Sequence, residues 1–180
     1  MNYVKLKKRF DICKPVEGSM EYVKYGLGEG KNFQGIKYTD FTVSDYILRE
    51  FLKIVPKEVR HLFKASLMTI NRDILPHTDS NTNTAINVYL ESGGYVTSFC
   101  TPAEDAKPMK LPTQTNGVMY NFEDVTIYDS FFALPGEIYI LDVTKVHCVH
   151  SGRRTGKRVA LNMATEMPFD EVISCVGDHV

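Results

Sequence analysis

The spacing of apolar residues changes near residue 65. Before that point, Thr42–Val55 carries apolar side chains at helical spacing, and Thr42 with Asp45 forms a capping-box pattern that predicts a helix. Pro56 ends this helix and opens a short second one that continues to Phe63. After residue 65 apolar residues alternate with polar ones, which predicts β-strands. The predicted strands are Ala65–Asn71, Thr84–Glu91, Tyr95–Cys100, Gly117–Phe122, Thr126–Leu134, Glu137–Val143, Val146–Ser151 and Arg158–Glu166.

This order of elements predicts a mainly β protein with flanking N-terminal helices, in which eight short strands build a jelly roll. A single domain over 1–180 is expected, with N-terminal support in 1–64, the jelly-roll core in 65–166 and a C-terminal tail in 167–180. The segment Thr101–Asn116 is polar, contains three prolines and reads as a lid over a site.

Composition narrows the class of protein. The formal net charge is −1, so the chain has no electrostatic footprint for nucleic acid or an anionic membrane. The four cysteines include no Cys-x-x-Cys pair, which argues against a zinc ribbon or a thioredoxin motif. No N-terminal apolar region and no membrane-spanning apolar run are present, so a cytoplasmic protein with free thiols is expected.

The candidate chemistry centres on His77 and Asp79. Residues two apart on an extended strand project from the same face, so an imidazole and a carboxylate lie side by side. A second histidine, His147, near the start of a later strand completes a 2-His-1-carboxylate set, which suits Fe(II) and leaves positions open on the metal. A hydrogen-bonded loop pair is the alternative. His150 competes with His147, and their odd spacing puts the two on opposite faces of a strand, so only one of them can look inward.

Arg158 begins an apolar strand, where its charge loses hydration unless it meets an acid. If the side chain points inward, a small dicarboxylate would satisfy the guanidinium through two parallel hydrogen bonds. The alternative is an arginine that reaches solvent from an edge strand.

Together these residues resemble the Fe(II)/2-oxoglutarate-dependent dioxygenases, specifically the prolyl-hydroxylase-like branch. The resemblance covers Ser66 to Glu166. It departs from the family at Glu91, where asparagine is usual, and by one extra residue between the glycine pair and Thr97. The matching motifs are His77-Thr78-Asp79, Val88-Tyr89-Leu90-Glu91, Gly93-Gly94-Tyr95-Val96-Thr97-Ser98-Phe99, His147 and Arg158.

The resemblance implies a double-stranded β-helix that hydroxylates a prolyl or amino-acid-type substrate with Fe(II), 2-oxoglutarate and O2, releasing succinate and CO2. It implies that His77, Asp79 and His147 hold the iron, with His147 preferred over His150 because its spacing to Arg158 fits the family better. Arg158 and Tyr89 would bind the distal carboxylate of 2-oxoglutarate. The substrate would be a small molecule or a peptide.

Three other functions remain open from the sequence. A cupin-like metal-binding protein would use the same ligands without 2-oxoglutarate, but it has no need for Arg158 and Tyr89. A non-catalytic jelly-roll binding module is the second alternative. A nucleobase oxygenase is the third, because the hairpin Ser151–Lys157 is basic, although the chain has no tryptophan for base stacking.

Overall fold

The computed structural model describes residues 1–11, 21–23, 36–42, 52–110, 117–152 and 156–176. In this part of the chain β-strands predominate, and one α-helix, α1 (Phe169–Val176), follows the last strand. The strands are β1 (Tyr3–Lys5), β2 (Glu21–Val23), β3 (Ile36–Thr42), β4 (Lys64–Ile70), β5 (Ile74–His77), β6 (Thr84–Glu91), β7 (Tyr95–Pro102), β8 (Met109–Lys110), β9 (Val118–Met119), β10 (Val125–Phe131), β11 (Ile138–Asp142), β12 (His147–Ser151) and β13 (Arg158–Thr165).

The strands form two antiparallel sheets. The seven-stranded sheet has the order β1-β11-β6-β13-β4-β3-β2, and the six-stranded sheet has the order β10-β7-β12-β5-β9-β8. From β4 onward the chain passes repeatedly from one sheet to the other, so that its eight longer strands divide equally between them. This arrangement fits the predicted jelly roll.

Alternation along the strands produces two apolar layers. In β13, Ala160 points into the space between the sheets and Leu161 points to the outer face of the seven-stranded sheet. The inner layer draws on both sheets, with Met68, Tyr89, Phe99, Leu141 and Val149 among its members. The outer layer is closed by α1 through Phe169, Val172 and Val176.

The N-terminal half agrees less well with the sequence predictions. The helix predicted over Thr42–Val55 lies largely outside the described residues, and Thr42 itself ends strand β3. The second predicted helix is reduced to one 3-10 turn, Arg60–Leu62. Strand β3 was not predicted. The segment 167–180 was expected to be a tail, but it contains helix α1. The apolar residues Phe169, Val172 and Val176 are spaced for one helix face, and this short pattern was not recognised.

Most strands of the predicted core are confirmed, and Thr84–Glu91 has the predicted bounds. The expected loop Thr101–Asn116 is shorter, since β7 extends to Pro102 and β8 forms inside it. Residues 111–116 lie outside the described part. Among the described residues, no helix has the length and apolar character needed to cross a membrane.

Candidate metal centre

His77 and His147 meet on neighbouring strands of the six-stranded sheet. They are directly paired in the register of β5 and β12, and their ring centroids lie 4.4 Å apart. Directly paired residues share one face of a sheet, and here the shared face is the one that carries Phe99 of the inner layer. The two imidazoles are 6% and 7% exposed, so both are held inside the fold.

Asp79 reaches the two histidines from the loop that follows β5. Its backbone N–H donates to the carbonyl of Val143 at 3.0 Å, which fixes this loop to the end of β11. The preceding residue, Thr78, donates its N–H to Val118 O at 3.0 Å and accepts from Val118 N at 3.2 Å. Backbone hydrogen bonds to Val143 and to Val118 therefore hold the loop that carries the Asp79 carboxylate.

The three side chains are arranged to present lone pairs to one point. His77 Nδ1 donates to Leu75 O at 2.7 Å, and His147 Nδ1 donates to Lys145 O at 2.9 Å. A carbonyl only accepts, so each ring carries a proton on Nδ1 and leaves Nε2 for the centre. The Nε2 atoms lie 3.3 Å and 3.6 Å from Asp79 Oδ1.

These distances fit a shared cation. The candidate ligand atoms all lie within 4.8 Å of one another. Two ligand atoms about 2.1 Å from one ion and at right angles are about 3 Å apart. The donor set of two imidazoles and one carboxylate on one side of the ion suits a divalent metal such as iron and leaves the opposite positions open.

Burial and the neighbouring charges shift the pKa of all three side chains. Burial and the nearby positive charge of His77 lower the pKa of His147 to about 4, so this ring is neutral at neutral pH. Burial alone would raise the pKa of Asp79, but its hydrogen bond with His77 and the charges of both histidines lower it. Burial is likewise outweighed at His77, where Asp79 raises the pKa. A bound cation would displace the His77 proton.

His150 does not take part in this cluster. Its Nε2 lies 2.8 Å from the hydroxyl of Ser98, which in turn lies 2.8 Å from the hydroxyl of Ser130. Ser98 and His150 alternate with the inward-facing Phe99 and Val149, so they occupy the outer face of the six-stranded sheet. The prediction that only one of the two histidines looks inward is confirmed, and the inward one is His147.

Arg158 points into the space between the sheets and is 1% exposed. It lies on β13, a strand with neighbours on both sides, so the alternative of an edge-strand arginine reaching solvent is wrong. Its Nη1 donates to Thr97 Oγ1 at 2.7 Å, and its Nη2 donates to the carbonyl of Tyr95. Its Cζ lies 5.2 Å from the ring centroid of Tyr89.

The charge of Arg158 is not neutralised within the described part of the chain. No carboxylate there forms an ion pair with it, and its Nε has no hydrogen-bond partner there. Burial lowers its pKa, although guanidinium remains charged in proteins. The two hydrogen bonds to Thr97 and Tyr95 use two of the five N–H donors of the guanidinium, so N–H groups including that of Nε remain for an anion.

Gly93 allows the start of β13 to pass close by. It has a φ of +58°, and a Cβ placed there would lie 2.4 Å from the carbonyl carbon of Lys157. A glycine is required both by the left-handed backbone and by this close approach. The first glycine of the motif therefore sets the position of the backbone that carries Arg158.

Sequence reasoning missed a polar ladder across the seven-stranded sheet. Asn162 Nδ2 donates to Asn87 Oδ1 at 2.8 Å, and Ser66 donates to Asn162 Oδ1 at 3.4 Å. All three are buried, and by alternation they face the inner layer, as Tyr89 and Ala160 do. A signal was available, since each asparagine interrupts a run of apolar residues that are otherwise buried on both faces.

Comparisons with known proteins add little. No family model and no curated protein matches the chain. Two solved structures of the vicilin from Solanum melongena are similar, each at 12% identity, with TM-scores of 0.42 and 0.40. They cover 79% and 81% of this chain, which spans 31% and 30% of theirs. A likeness this weak has no bearing on function. The fold and the site together define a jelly-roll protein with a candidate metal centre.

Proposed function

We propose that His77, Asp79 and His147 bind Fe(II), and that the chain is an Fe(II)- and 2-oxoglutarate-dependent dioxygenase acting as a hydroxylase. The observation that supports this most is Arg158, an unneutralised guanidinium buried in the same inter-sheet layer that the two histidines face. A metal site alone needs no such cation. A site for an anionic co-substrate does.

The three ligands leave a charge that favours an anion. Two neutral imidazoles and one carboxylate reduce the charge of a divalent ion to +1. A 2-oxo acid chelating that ion would add a second carboxylate and an oxo group on the side opposite the protein ligands. With iron bound, O2 would be the oxidant: one of its oxygen atoms would enter succinate as 2-oxoglutarate loses CO2, and the other would convert a substrate C–H to C–OH.

The separation between Arg158 and the candidate metal ligands suits the length of such a co-substrate. Thr97, which accepts from Arg158, precedes Phe99 by two residues on β7, and Phe99 is paired with His147. Two residues of strand span about 7 Å. The carbon chain of a five-carbon dicarboxylate is about 5 Å long. One end could therefore reach the metal while the other meets the guanidinium.

The remaining residues of this layer would orient the co-substrate and exclude water. Tyr89 packs edge-on against Tyr139 and Phe131, with ring centroids at 5.8 Å and 6.3 Å, which holds its ring beside Arg158. Phe99 is fully buried next to His147. A dry layer strengthens the attraction between Arg158 and a carboxylate.

A second candidate function is a cupin-like metal-binding protein without 2-oxoglutarate. The hydrogen bonds from Arg158 to Thr97 and to the Tyr95 carbonyl favour it, because they hold the guanidinium without any ligand. The metal triad supports this function as well as it supports the oxygenase. The two functions differ in one respect, which is the need for an anion between the metal and Arg158.

The test is an anaerobic titration of Fe(II)-loaded protein with 2-oxoglutarate, followed by the visible metal-to-ligand charge-transfer band. The band is expected in the wild type and in His150→Ala, and it should be lost in His147→Ala. In Arg158→Ala the band should need a much higher 2-oxoglutarate concentration. Iron binding without a band would replace the oxygenase by the cupin-like function, and failure to bind iron would overturn both.

A further inference from the structure

One row of side chains crosses the six-stranded sheet through the candidate metal centre. Met109 is paired with Met119, Met119 with His77, His77 with His147, and His147 with Phe99. Directly paired residues point to the same face of a sheet. The two methionines therefore continue the inward-facing row beyond His77, at about 5 Å and 10 Å from its strand.

Exposure rises along this row in one direction. Phe99 is 0% exposed, and His147 and His77 are 7% and 6% exposed. Met119 is half-buried, and Met109 is 37% exposed. The His147 side of the centre is closed by the inner layer, where Phe99 stacks on Tyr3. A molecule moving along this row from solvent would thus reach the metal from the methionine side.

The row offers apolar and polarisable contacts next to the metal. A thioether side chain has three rotatable bonds and adapts to different apolar shapes, and it contacts aromatic rings favourably. Neither thioether carries a charge or a strong hydrogen-bonding group. A charged group placed over them would lose hydration without gaining a partner, whereas an aliphatic or aromatic group would gain by burial.

From this geometry we propose that Met109 and Met119 form a subsite for an apolar, uncharged substrate group, and that this group presents its C–H to the metal. The inference rests on the proposed function for the identity of the reaction. It deepens that function by assigning the chemical class of the reacting group and the side from which it enters. Hydrophobic contact with the two thioethers would select the group, and the metal ligands would play no part in that selection.

The experiment uses the full chain loaded with Zn(II) as a diamagnetic substitute, together with 2-oxoglutarate, and labelled with [methyl-13C]methionine. Single substitutions assign the seven methionine signals. The probes are N-acetyl-leucinamide and N-acetyl-prolinamide, compared with N-acetyl-serinamide and N-acetyl-lysinamide. The apolar probes should shift the signals of Met109 and Met119, while the signal of the fully buried Met163 stays fixed.

Substitutions separate apolar selection from a general effect. Met109→Gln with Met119→Gln should weaken the apolar probe by at least about tenfold, and the matching leucine pair should keep its affinity. Leu134→Gln is the matched control, since it removes an exposed apolar side chain just beyond β10, at the opposite edge of the same sheet. Equal weakening in Leu134→Gln would overturn the subsite.

The outcomes distinguish this inference from the proposed function. If the charge-transfer band forms but apolar probes leave both methionine signals unmoved, the subsite is wrong and the oxygenase stands. Polar probes that shift these signals as strongly as apolar ones would also overturn it. If the signals shift in protein that never forms the band, the apolar subsite stands and the oxygenase does not.

Discussion

Thr97 accepts a hydrogen bond from Arg158 Nη1 at 2.7 Å, across the interior from β13 to β7. This contact joins residues 61 positions apart and fixes the guanidinium of Arg158 between the sheets. Arg158 is the charged residue that the resemblance assigns to co-substrate binding. Through Phe99, two residues further along β7, the same strand packs beside His147. Strand β7 therefore contacts both the Arg158 guanidinium, through Thr97, and the candidate metal ligand His147, through Phe99.

Thr97→Val tests the orientation of this guanidinium. The change preserves the shape of the side chain but removes the acceptor, so the affinity for 2-oxoglutarate should fall about three- to thirtyfold, while iron affinity is retained. The charge-transfer titration measures both. Thr101→Val is the matched control, because Thr101 is on the same strand and exposed, and it should leave both affinities unchanged.

Removing one metal ligand should abolish tight iron binding with little effect on the fold. His77→Ala and His147→Ala each take away one of three ligands, and a loss of at least about a hundredfold in iron affinity is expected. Calorimetric titration with Fe(II) under nitrogen gives the affinity, and thermal unfolding reports the fold. His150→Ala should bind as the wild type does. A ligand variant that unfolds would mean that the pair is structural.

Gly93→Ala should destabilise the protein by at least about 2 kcal/mol, because the new Cβ requires a positive φ and would lie against the backbone of Lys157. Urea denaturation measures this loss in the free energy of unfolding. Gly152→Ala provides the comparison, since no atom of the described residues lies within 4 Å of a Cβ at that position. A similar loss of stability in the two variants would show that the close approach of Gly93 to Lys157 does not require a glycine.

Breaking the asparagine ladder should reveal coupling between its members. Asn87→Ala and Asn162→Ala each leave the other amide with an unused group, so the double variant should lose less stability than the sum of the two. A coupling of about 1 kcal/mol is expected from urea denaturation. Asn162→Ala combined with Ser174→Ala, on the exposed side of α1, should be additive.

Glu137 should make stability depend on acid pH. Burial tends to raise its pKa, but the N–H of Leu134, the Lys5 ammonium at 2.5 Å and the Tyr139 hydroxyl lower it below its ordinary value of 4.5. A group with a lowered folded pKa contributes its full stability above the unfolded pKa and loses it as pH falls through the folded value.

The measurement is the free energy of unfolding of the wild type and Glu137→Gln from pH 7 to pH 3. The advantage of the wild type should be constant above about pH 5 and should shrink below that. Lys5→Met should reduce this advantage, since it removes the partner ammonium. An advantage that stays constant down to pH 3 would contradict the assignment.

Local patterns in the sequence were sufficient for the strands and for part of the site. The sequence pattern located Thr84–Glu91, most of which is buried on both faces, and most of the other core strands, but it missed β5 (Ile74–His77). The two-residue spacing placed His77 and Asp79 near each other, although Asp79 lies in the loop after β5 and not on the strand. The odd spacing of His147 and His150 indicated that only one of them faces inward, and the choice of His147 came from the family resemblance. Both spacings are local and can be read without knowing which strands pair.

Features that depend on pairing between distant strands were not predictable. The register that puts Met109 and Met119 beside His77 depends on β8, which lies in a segment predicted to be a polar loop, and on the pairing of β9 with β5. The ladder of Asn87 and Asn162 requires knowing that β6 and β13 are neighbours. The pattern also missed β3, and the Arg158 partner was expected to be an acid, whereas the described contacts are a hydroxyl and a carbonyl.

The close approach of Gly93 to Lys157 has a consequence for how chains of this kind diverge. A side chain at position 93 would push away the backbone from which Arg158 reaches Thr97, so the two positions are not free to vary independently. Among related sequences, glycine at 93 and arginine at 158 should be kept together or lost together. That covariation would separate descendants that retain the buried cation from those that keep only the metal ligands.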